Sequence, residues 1–433
     1  MKRTIIGLVV LEVCFAANIA AAMQAPTDPA SEEPGAATVS NQDNSNKSRS
    51  ITGRFLADMR SPIGFSLGMY ELYAPNLSDS RLGDKSPVFT MLKPRLFASA
   101  KTKKAQFQVD YAFGYKRYNR RSEIHSSDHS AEMNFGYRLS RNGSLQISDT
   151  FRSAFNDYGS LPISTAPTLY QPSFAQDLYM PRERMTTNSL VTGINYRAGK
   201  RTNLTVFSSY DMWRYSASSS NNAQGFQIGI RGDHQINKWL FLNSGYSHYL
   251  NKVDPRFEMA SIHRLQVGGL KFKPRRSVEI YFSGGLDATR FQGTQRGAAS
   301  FQAGLSRTSG ASSISLIYYR GFSNAVGPQA TLKGDLVSAS LSQWFSRRVN
   351  LQINSGYTRG ASLNRNSKLE YLSGNAEVQV AVQSHVMFNV QSSYVSQRGI
   401  KLPSASPVLS RYTVSTGFQI FFSSLDGRKT SGR

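Results

Sequence analysis

Histidine next to serine or to an acidic residue is the pattern in this chain that comes nearest to hydrolytic chemistry. His248 follows Ser247, and His234 follows Asp233. Neighbouring residues of a strand point to opposite faces, so neither pair forms a catalytic dyad by itself. The chain also has no phosphate-binding loop. We therefore predict that the protein is not an enzyme.

Three other residues have the side-chain types of a zinc site. They are His125, Asp128 and His129, in a polar stretch that we assign to an external loop. Histidines in such a stretch are most often hydrated and bind nothing. We predict no metal site and no cofactor.

Most of the chain alternates apolar and polar residues, which is the pattern of β-strands with one apolar and one polar face. The last such segment, residues 411–422, places on its apolar face Tyr412, Val414, Thr416, Phe418, Ile420 and Phe422. Similar segments of about a dozen residues, the length of a tilted membrane strand, predict eighteen strands, with sixteen as the alternative count. Aromatic residues of the apolar faces lie near strand ends, at Tyr115, Tyr137, Tyr196, Tyr357, Tyr394 and Phe422.

The polar faces carry charged residues that suit the lining of a water-filled channel. The basic ones are Lys93, Arg95, Lys116, Arg138, Arg152, Arg197, Arg231, Arg264 and Arg411. The acidic ones are Asp110, Glu132, Asp211, Asp233, Glu279, Asp287 and Glu377. This lining has mixed charge with a slight positive excess. The alternative is that these charges pair across the lumen and fill a closed barrel.

Asp149 breaks the alternation, because it shares the apolar face with Leu145, Ile147 and Phe151. A charge that faces lipid costs free energy. We therefore expect a bulge or a shifted strand boundary at Asp149.

Short connections alternate with longer ones, which we expect to have about 8 to 30 residues. Basic residues lie in or beside the short connections, at Lys101, Lys103, Lys104, Arg141, Lys200, Arg201, Lys238, Lys271, Lys273, Arg275, Arg276, Arg307, Arg347 and Arg348. Closure of the barrel gathers them on one periplasmic rim. A positive rim attracts anions to an entrance, or it contacts anionic lipid headgroups; both interpretations stay open.

The N-terminus has the pattern of a secretory signal peptide, residues 1–22. Lys2 and Arg3 precede an apolar run that ends at Ala20-Ala21-Ala22. We predict a disordered periplasmic leader over residues 23–60 and a polar, basic periplasmic tail over residues 423–433. Export argues against nucleic acid as the partner of this chain, despite its formal net charge of +24.

Together, the signal peptide, the two-faced strands, the alternating connections and the aromatic last strand resemble a Gram-negative outer-membrane porin-type β-barrel, over residues 61–422. The resemblance implies an all-β fold, a transmembrane antiparallel up-and-down barrel in the outer membrane of a Gram-negative bacterium. Its implied partners are outer-membrane lipid and the barrel-assembly machinery. The oligomeric state stays open.

The resemblance also implies a role for the longest connection, residues 156–186, which is the third external loop. In porins this loop commonly folds inward and narrows the pore. Its charged residues are Asp157, Asp177, Arg182, Glu183 and Arg184. An external lid is an equally good interpretation.

Passive diffusion of small hydrophilic solutes, with a mild anion preference, is the function that we expect. The first alternative is export of an acidic exopolysaccharide, which suits the basic rim. The second is a non-conducting structural or adhesive barrel.

Overall fold

The computed structural model describes residues 63–74, 88–118, 121–155, 184–216, 222–253, 258–275, 277–291, 293–323, 332–362, 368–400 and 408–423. The predicted signal peptide, leader and tail lie outside these residues, apart from Ser423. So does the expected constriction loop up to residue 183. Within the described ranges no helix is long and apolar enough to cross a membrane.

The described residues form eighteen β-strands. They are β1 (Ile63–Tyr73), β2 (Val88–Lys101), β3 (Ala105–Tyr118), β4 (Arg121–Arg138), β5 (Gly143–Phe155), β6 (Arg184–Arg197), β7 (Thr202–Tyr215), β8 (Ala223–Gln235), β9 (Leu240–Val253), β10 (Glu258–Arg275), β11 (Val278–Phe291), β12 (Thr294–Thr308), β13 (Ser312–Ser323), β14 (Leu332–Trp344), β15 (Val349–Ser362), β16 (Lys368–Gln383), β17 (Val386–Ile400) and β18 (Val408–Ser423).

Each strand pairs antiparallel with the next, and β18 pairs with β1, so the sheet closes into a barrel. The register of the closing pair runs from Gly64↔Ser423 to Tyr73↔Val414. Inside this seam, Gln419 Nε2 donates a hydrogen bond to Ser66 Oγ at 2.8 Å. The predicted count of eighteen strands is confirmed, and the alternative of sixteen is wrong.

Alternation of side chains decides which face of each strand meets water. In β8, Gln227 and Arg231 are buried on the inward face, whereas Phe226, Ile228 and Ile230 are exposed on the outward face. The same alternation recurs around the barrel. The six aromatic residues predicted near strand ends are all exposed. An apolar outer wall around a polar inner wall is the arrangement of a transmembrane β-barrel.

Several connections at the end of the barrel where we predicted the longer loops are shorter than predicted. Only two residues separate β3 from β4, and two separate β11 from β12. The second of these turns contains Gly293, whose φ of 77° is a conformation that favours glycine. The expected range of about 8 to 30 residues is therefore wrong for these hairpins. The strands extend past the strictly alternating segments, so the two-faced pattern does not mark their ends.

The prediction at Asp149 is also wrong. Asp149 lies opposite Met133 and Leu190, and both pairings run through it without a register shift. Its outward carboxylate instead accepts a hydrogen bond from Asn188 Nδ2 at 3.0 Å. A polar neighbour on the same face, not a bulge, is what compensates this charge.

Candidate functional site

The inner wall of the barrel is the candidate site. The predicted lining residues that the structure describes lie on the face opposite to the exposed apolar residues. They are Lys93, Arg95, Asp110, Lys116, Glu132, Arg138, Arg152, Arg197, Asp211, Arg231, Asp233, Arg264, Glu279, Asp287 and Glu377. The side chain of Arg411 lies outside the described part.

Ion pairs hold the first group of these charges, on β2, β3 and β4. Arg95 contacts Asp110 through two nitrogens, and its Nε lies 2.8 Å from each carboxylate oxygen. Lys116 is completely buried, and its Nζ lies 2.6 Å from Asp128 Oδ2. Asp128 was not predicted as a lining residue, although its alternation with His129 places it on the inward face. Paired charges of this kind contribute little net field to the lumen.

A second group lies near the short-turn ends of β10 and β11. Glu279 accepts Lys273 Nζ at 2.9 Å and contacts Lys271 Nζ at 3.5 Å. These two lysines were assigned to the basic rim, but a carboxylate on the neighbouring strand compensates both. Arg231 and Asp233 form a similar pair on β8, at 3.0 Å.

The remaining predicted carboxylates accept hydrogen bonds from neutral groups. Asn134 Nδ2 donates to Glu132 at 2.7 Å, and Gln379 Nε2 donates to Glu377 at 2.6 Å. Ser189 Oγ donates to Asp211 at 2.6 Å. Every acidic residue of the predicted lining therefore has a partner on its own strand or a nearby one, rather than across the lumen as the alternative interpretation had it.

Asp287 is the centre of the most connected cluster on the inner wall. Its carboxylate accepts Arg264 Nε at 3.1 Å, the hydroxyl of Tyr319 at 3.0 Å and the backbone N–H of Phe322 at 3.0 Å. Arg264 Nη2 in turn donates to the carbonyl of Phe322 at 2.7 Å and contacts the Tyr319 hydroxyl. We call these four residues the β13 clasp. It ties the loop-side end of β13 to β10 and β11.

The clasp draws the end of β13 over the inner wall. Pairing of β12 with β13 stops at Phe301↔Arg320, whereas pairing of β13 with β14 continues to Ser323↔Leu332. Phe322 follows the alternation of the outward residues of β13, yet its side chain is buried against Ile262 of β10. The end of the β13–β14 hairpin therefore leans into the lumen.

Glycine is required where this end approaches the wall. A Cβ on Gly321 would lie 2.6 Å from Asp287 Oδ2 and would also overlap the Tyr319 hydroxyl. Gly334 is paired with Gly321, and a Cβ there would lie 2.6 Å from the Cα of Gly360. The two glycines allow the hairpin to pass close to its neighbours.

Apolar side chains occupy the inner wall near the short turns. Phe97, Trp344, Met387 and Phe421 form one buried cluster that joins β2, β14, β17 and β18. We predicted a polar lining of mixed charge, so this cluster was missed. The signal was present in the sequence, since Phe97 and Phe421 continue the polar face of their strands by position.

Ten rim residues that were assigned to short turns are exposed, namely Lys101, Lys103, Lys104, Arg141, Lys200, Arg201, Lys238, Arg275, Arg347 and Arg348. Arg307 is exposed as well, but it lies on the outward face of β12. Arg276 lies outside the described part. The rim is therefore strongly basic even after Lys271 and Lys273 are excluded.

Arg184 is the one residue of the expected constriction loop that can be located. It begins β6, and its Nη2 donates to the carbonyl of Ser127 at 2.8 Å, while Nη1 donates to Ser153 Oγ at 3.3 Å. Both serines lie on the outward face. Arg184 therefore ties three strands together on the outer wall, contrary to its predicted place in the pore.

Two of the three residues considered for metal binding lie on opposite walls of the barrel, and the side chain of His125 lies outside the described part. Asp128 pairs with Lys116 on the inner wall, whereas His129 lies on the outer wall and shares a hydrogen bond with the Tyr111 hydroxyl at 2.9 Å. The described residues contain no group of three or more metal-ligating side chains.

One serine motif also proves to be structural. The segment from Gly64 to Gly68 has the letters of a G-x-S-x-G nucleophile turn. It lies within β1, however, and not at a strand-to-helix turn. Its Ser66 is buried and holds Gln419 at the barrel seam.

This chain has the fold of a porin-type β-barrel. The closed sheet, the apolar outer wall and the charged inner wall decide this. No protein-family model matches the sequence, and no curated protein matches it.

Solved structures resemble the chain weakly. OpdK, an outer membrane protein of Pseudomonas aeruginosa, has 10% sequence identity and a TM-score of 0.44, over 83% of this chain and 99% of that one. OccAB4 of Acinetobacter baumannii has 10% identity and a TM-score of 0.41, over 84% and 99%. The siderophore receptor PirA of Acinetobacter baumannii has 5% identity and a TM-score of 0.43, over 84% and 81%.

Proposed function

We propose that the protein is an outer-membrane channel of a Gram-negative bacterium for passive diffusion of small hydrophilic solutes. The supporting observation is the closed eighteen-stranded barrel, which is apolar outside and lined inside by charged, amide and hydroxyl groups. A barrel of this strand number has room for an aqueous passage. Diffusion through such a passage needs no cofactor and no reaction.

The basic rim is the feature that gives this channel a mild anion preference. Four carboxylates of the inner wall, Asp110, Asp233, Glu279 and Asp287, are compensated by basic neighbours, which reduces the attraction of the lining for cations. The rim residues Lys103, Lys104, Arg347 and Arg348 are exposed, and no carboxylate of the described ranges forms an ion pair with them. A positive rim raises the concentration of anions at the entrance.

Planar bilayer recordings test this function. Purified chain, refolded in detergent, is added to a bilayer that separates two concentrations of potassium chloride. We expect discrete conductance steps and a reversal potential whose sign shows chloride preference. Absence of steps from chain that is folded and inserted favours the non-conducting structural or adhesive barrel. Cation preference contradicts the role of the rim.

Export of an acidic polysaccharide is the second candidate, and the exposed basic rim on the short-turn side favours it. Its cations would gather the acidic groups of a polymer at that entrance. An acidic oligosaccharide added on the turn side should then block the current. Replacing Arg347 and Arg348 by serine should weaken the block, whereas Arg320→Ser, on the outer wall at the loop-side end of β13, should not.

A further inference from the structure

An open cavity lies on the outer wall of the barrel, between β2 and β3. Its volume is about 350 Å³, and its lining residues are Thr90, Leu92, Tyr115 and Arg117. All four alternate with lumen residues such as Lys93 and Lys116, so they face away from the pore. We call this cavity the outer groove.

The outer groove has a polar end and an apolar end. Thr90 lies opposite Arg117, and Leu92 lies opposite Tyr115. The Thr90–Arg117 pair is two residues nearer to the loop-side ends of the strands. Leu92 and Tyr115 are therefore directed towards the apolar band, with the cationic group above them. A membrane lipid has the same order of groups, with its headgroup above its acyl chain.

Arg117 differs from two other arginines near the loop-side ends of outer-wall strands. Arg320 lies 3.8 Å from Asp335, and Arg359 lies 3.4 Å from Glu370. Within the described ranges no carboxylate forms an ion pair with Arg117, whose side chain is exposed. An exposed guanidinium above an apolar groove is suited to an anion brought there by the membrane.

We propose that the outer groove binds a phosphate-bearing membrane lipid, with Arg117 on the phosphate and Leu92 and Tyr115 against the acyl chain. The guanidinium fork matches the oxygens of a phosphate group. Tyrosine is suited to the boundary between headgroups and acyl chains. The inference rests on the membrane location within the proposed function, but not on conduction.

The carboxylate of Glu71 opposes the binding of an anion, so charge removal at Glu71 and at Arg117 should change the affinity in opposite directions. The hydroxyl of Thr90 donates to Glu71 Oε1 at 2.5 Å, so a carboxylate lies beside the polar end of the groove. Removing its charge should strengthen the binding of an anion. Removing the charge of Arg117 should weaken it.

Native mass spectrometry of the full chain, released from detergent micelles, measures the binding. The probe is phosphatidylglycerol, and the comparison is a diacylglycerol with the same acyl chains and no phosphate. We expect phosphatidylglycerol to be retained and the diacylglycerol to be lost. Arg117→Gln should lower the affinity by about fivefold, the equivalent of about 1 kcal/mol for one basic residue at a membrane surface.

Arg359→Gln is the matched control, because Arg359 also lies on the outward face two residues beyond an exposed tyrosine, Tyr357, but is paired with Glu370. It should leave retention unchanged, and Glu71→Gln should increase it. Equal loss in Arg117→Gln and Arg359→Gln overturns the proposal. So does displacement of the lipid by an excess of inorganic phosphate, which would reduce the site to a phosphate-ion site.

Flotation with lipid vesicles separates this proposal from the proposed function. Chain that floats and conducts but retains no phosphatidylglycerol overturns the outer groove alone. Chain that does not float at all contradicts the membrane location, on which both proposals depend.

Discussion

The carboxylate of Asp287 accepts the backbone N–H of Phe322 at 3.0 Å, although their strands, β11 and β13, are not neighbours in the barrel. Arg264 completes the link by donating to the carbonyl of the same residue at 2.7 Å. The N–H and the C=O of Phe322 are thus both bound by the ion pair of Asp287 and Arg264 on the inner wall. The pair thereby holds the end of the β13–β14 hairpin against the inner wall.

Asp287→Ala should release the hairpin. The change removes the buried partner of the half-buried Arg264, so we expect a loss of about 3 kcal/mol in the free energy of unfolding. We also expect a larger single-channel conductance, because the end of β13 no longer leans into the pore. Urea unfolding in detergent micelles measures the loss of stability, and planar bilayer recordings measure the conductance. Asp233→Ala on β8 is the control, since Asp233 pairs with Arg231 of its own strand and does not hold the β13–β14 hairpin. Equal conductance changes in both variants would contradict the proposed role of the clasp.

Gly321→Ala should have the same effect on conductance without removing a charge. Its Cβ would lie 2.6 Å from Asp287 Oδ2, so the hairpin or the carboxylate must move. Gly374→Ala on β16 is the matched control, because nothing lies within 4 Å of its Cβ position. A wild-type conductance in Gly321→Ala would show that the hairpin tolerates the added atom in place.

Replacing Lys103, Lys104, Arg347 and Arg348 together by serine should reduce the chloride preference. The rim then attracts fewer anions, so the reversal potential moves towards zero. The difference from wild type should shrink at high salt, because screening shortens the reach of these charges. Arg320→Ser, on the outer wall at the opposite rim, should leave the reversal potential unchanged. If the fourfold variant kept the chloride preference of the wild type, the preference would arise from residues of the lumen and not from the rim.

The outward pair of Asp149 and Asn188 should cost stability in a lipid or detergent environment. Replacing both by leucine should raise the free energy of unfolding by about 1 to 2 kcal/mol, since a lipid-facing charge is unfavourable. Asp149→Leu alone should raise the free energy of unfolding by less, because the Asn188 amide then loses its hydrogen-bond acceptor. Urea unfolding of the two variants measures the difference. A less stable double variant would indicate that another protein surface covers this pair.

Alternation of side chains predicted the parts of the fold that every strand repeats. A strand buried on one side and lipid-facing on the other must alternate, so the strand count and the faces of Arg95, Arg231 and Phe418 follow from position alone. Closure follows from the same pattern, because an apolar edge strand such as β18 needs a partner.

The clasp and the ends of the strands could not be predicted in this way. Phe322 has the parity of an outward residue, and its inward position depends on contacts with Asp287 and Arg264, which lie 35 and 58 positions earlier in the chain. The first eight residues of β4 include a single apolar residue, Ile124, so no alternation marks them as a strand. Ion pairs such as Lys116 with Asp128 depend on the register of β3 and β4, which the sequence of either strand alone does not specify.

The seam between β1 and β18 has a consequence for the order of folding. Ser66 and Gln419, which share a buried hydrogen bond there, are separated by 353 positions. Contacts between neighbouring hairpins close short loops, whereas this contact closes almost the whole described chain, and loop closure of that length is slow. Until it forms, both edges of a seventeen-hairpin sheet expose unpaired N–H and C=O groups to any other strand nearby. The growing sheet must therefore be sheltered from other chains until its first strand meets its last.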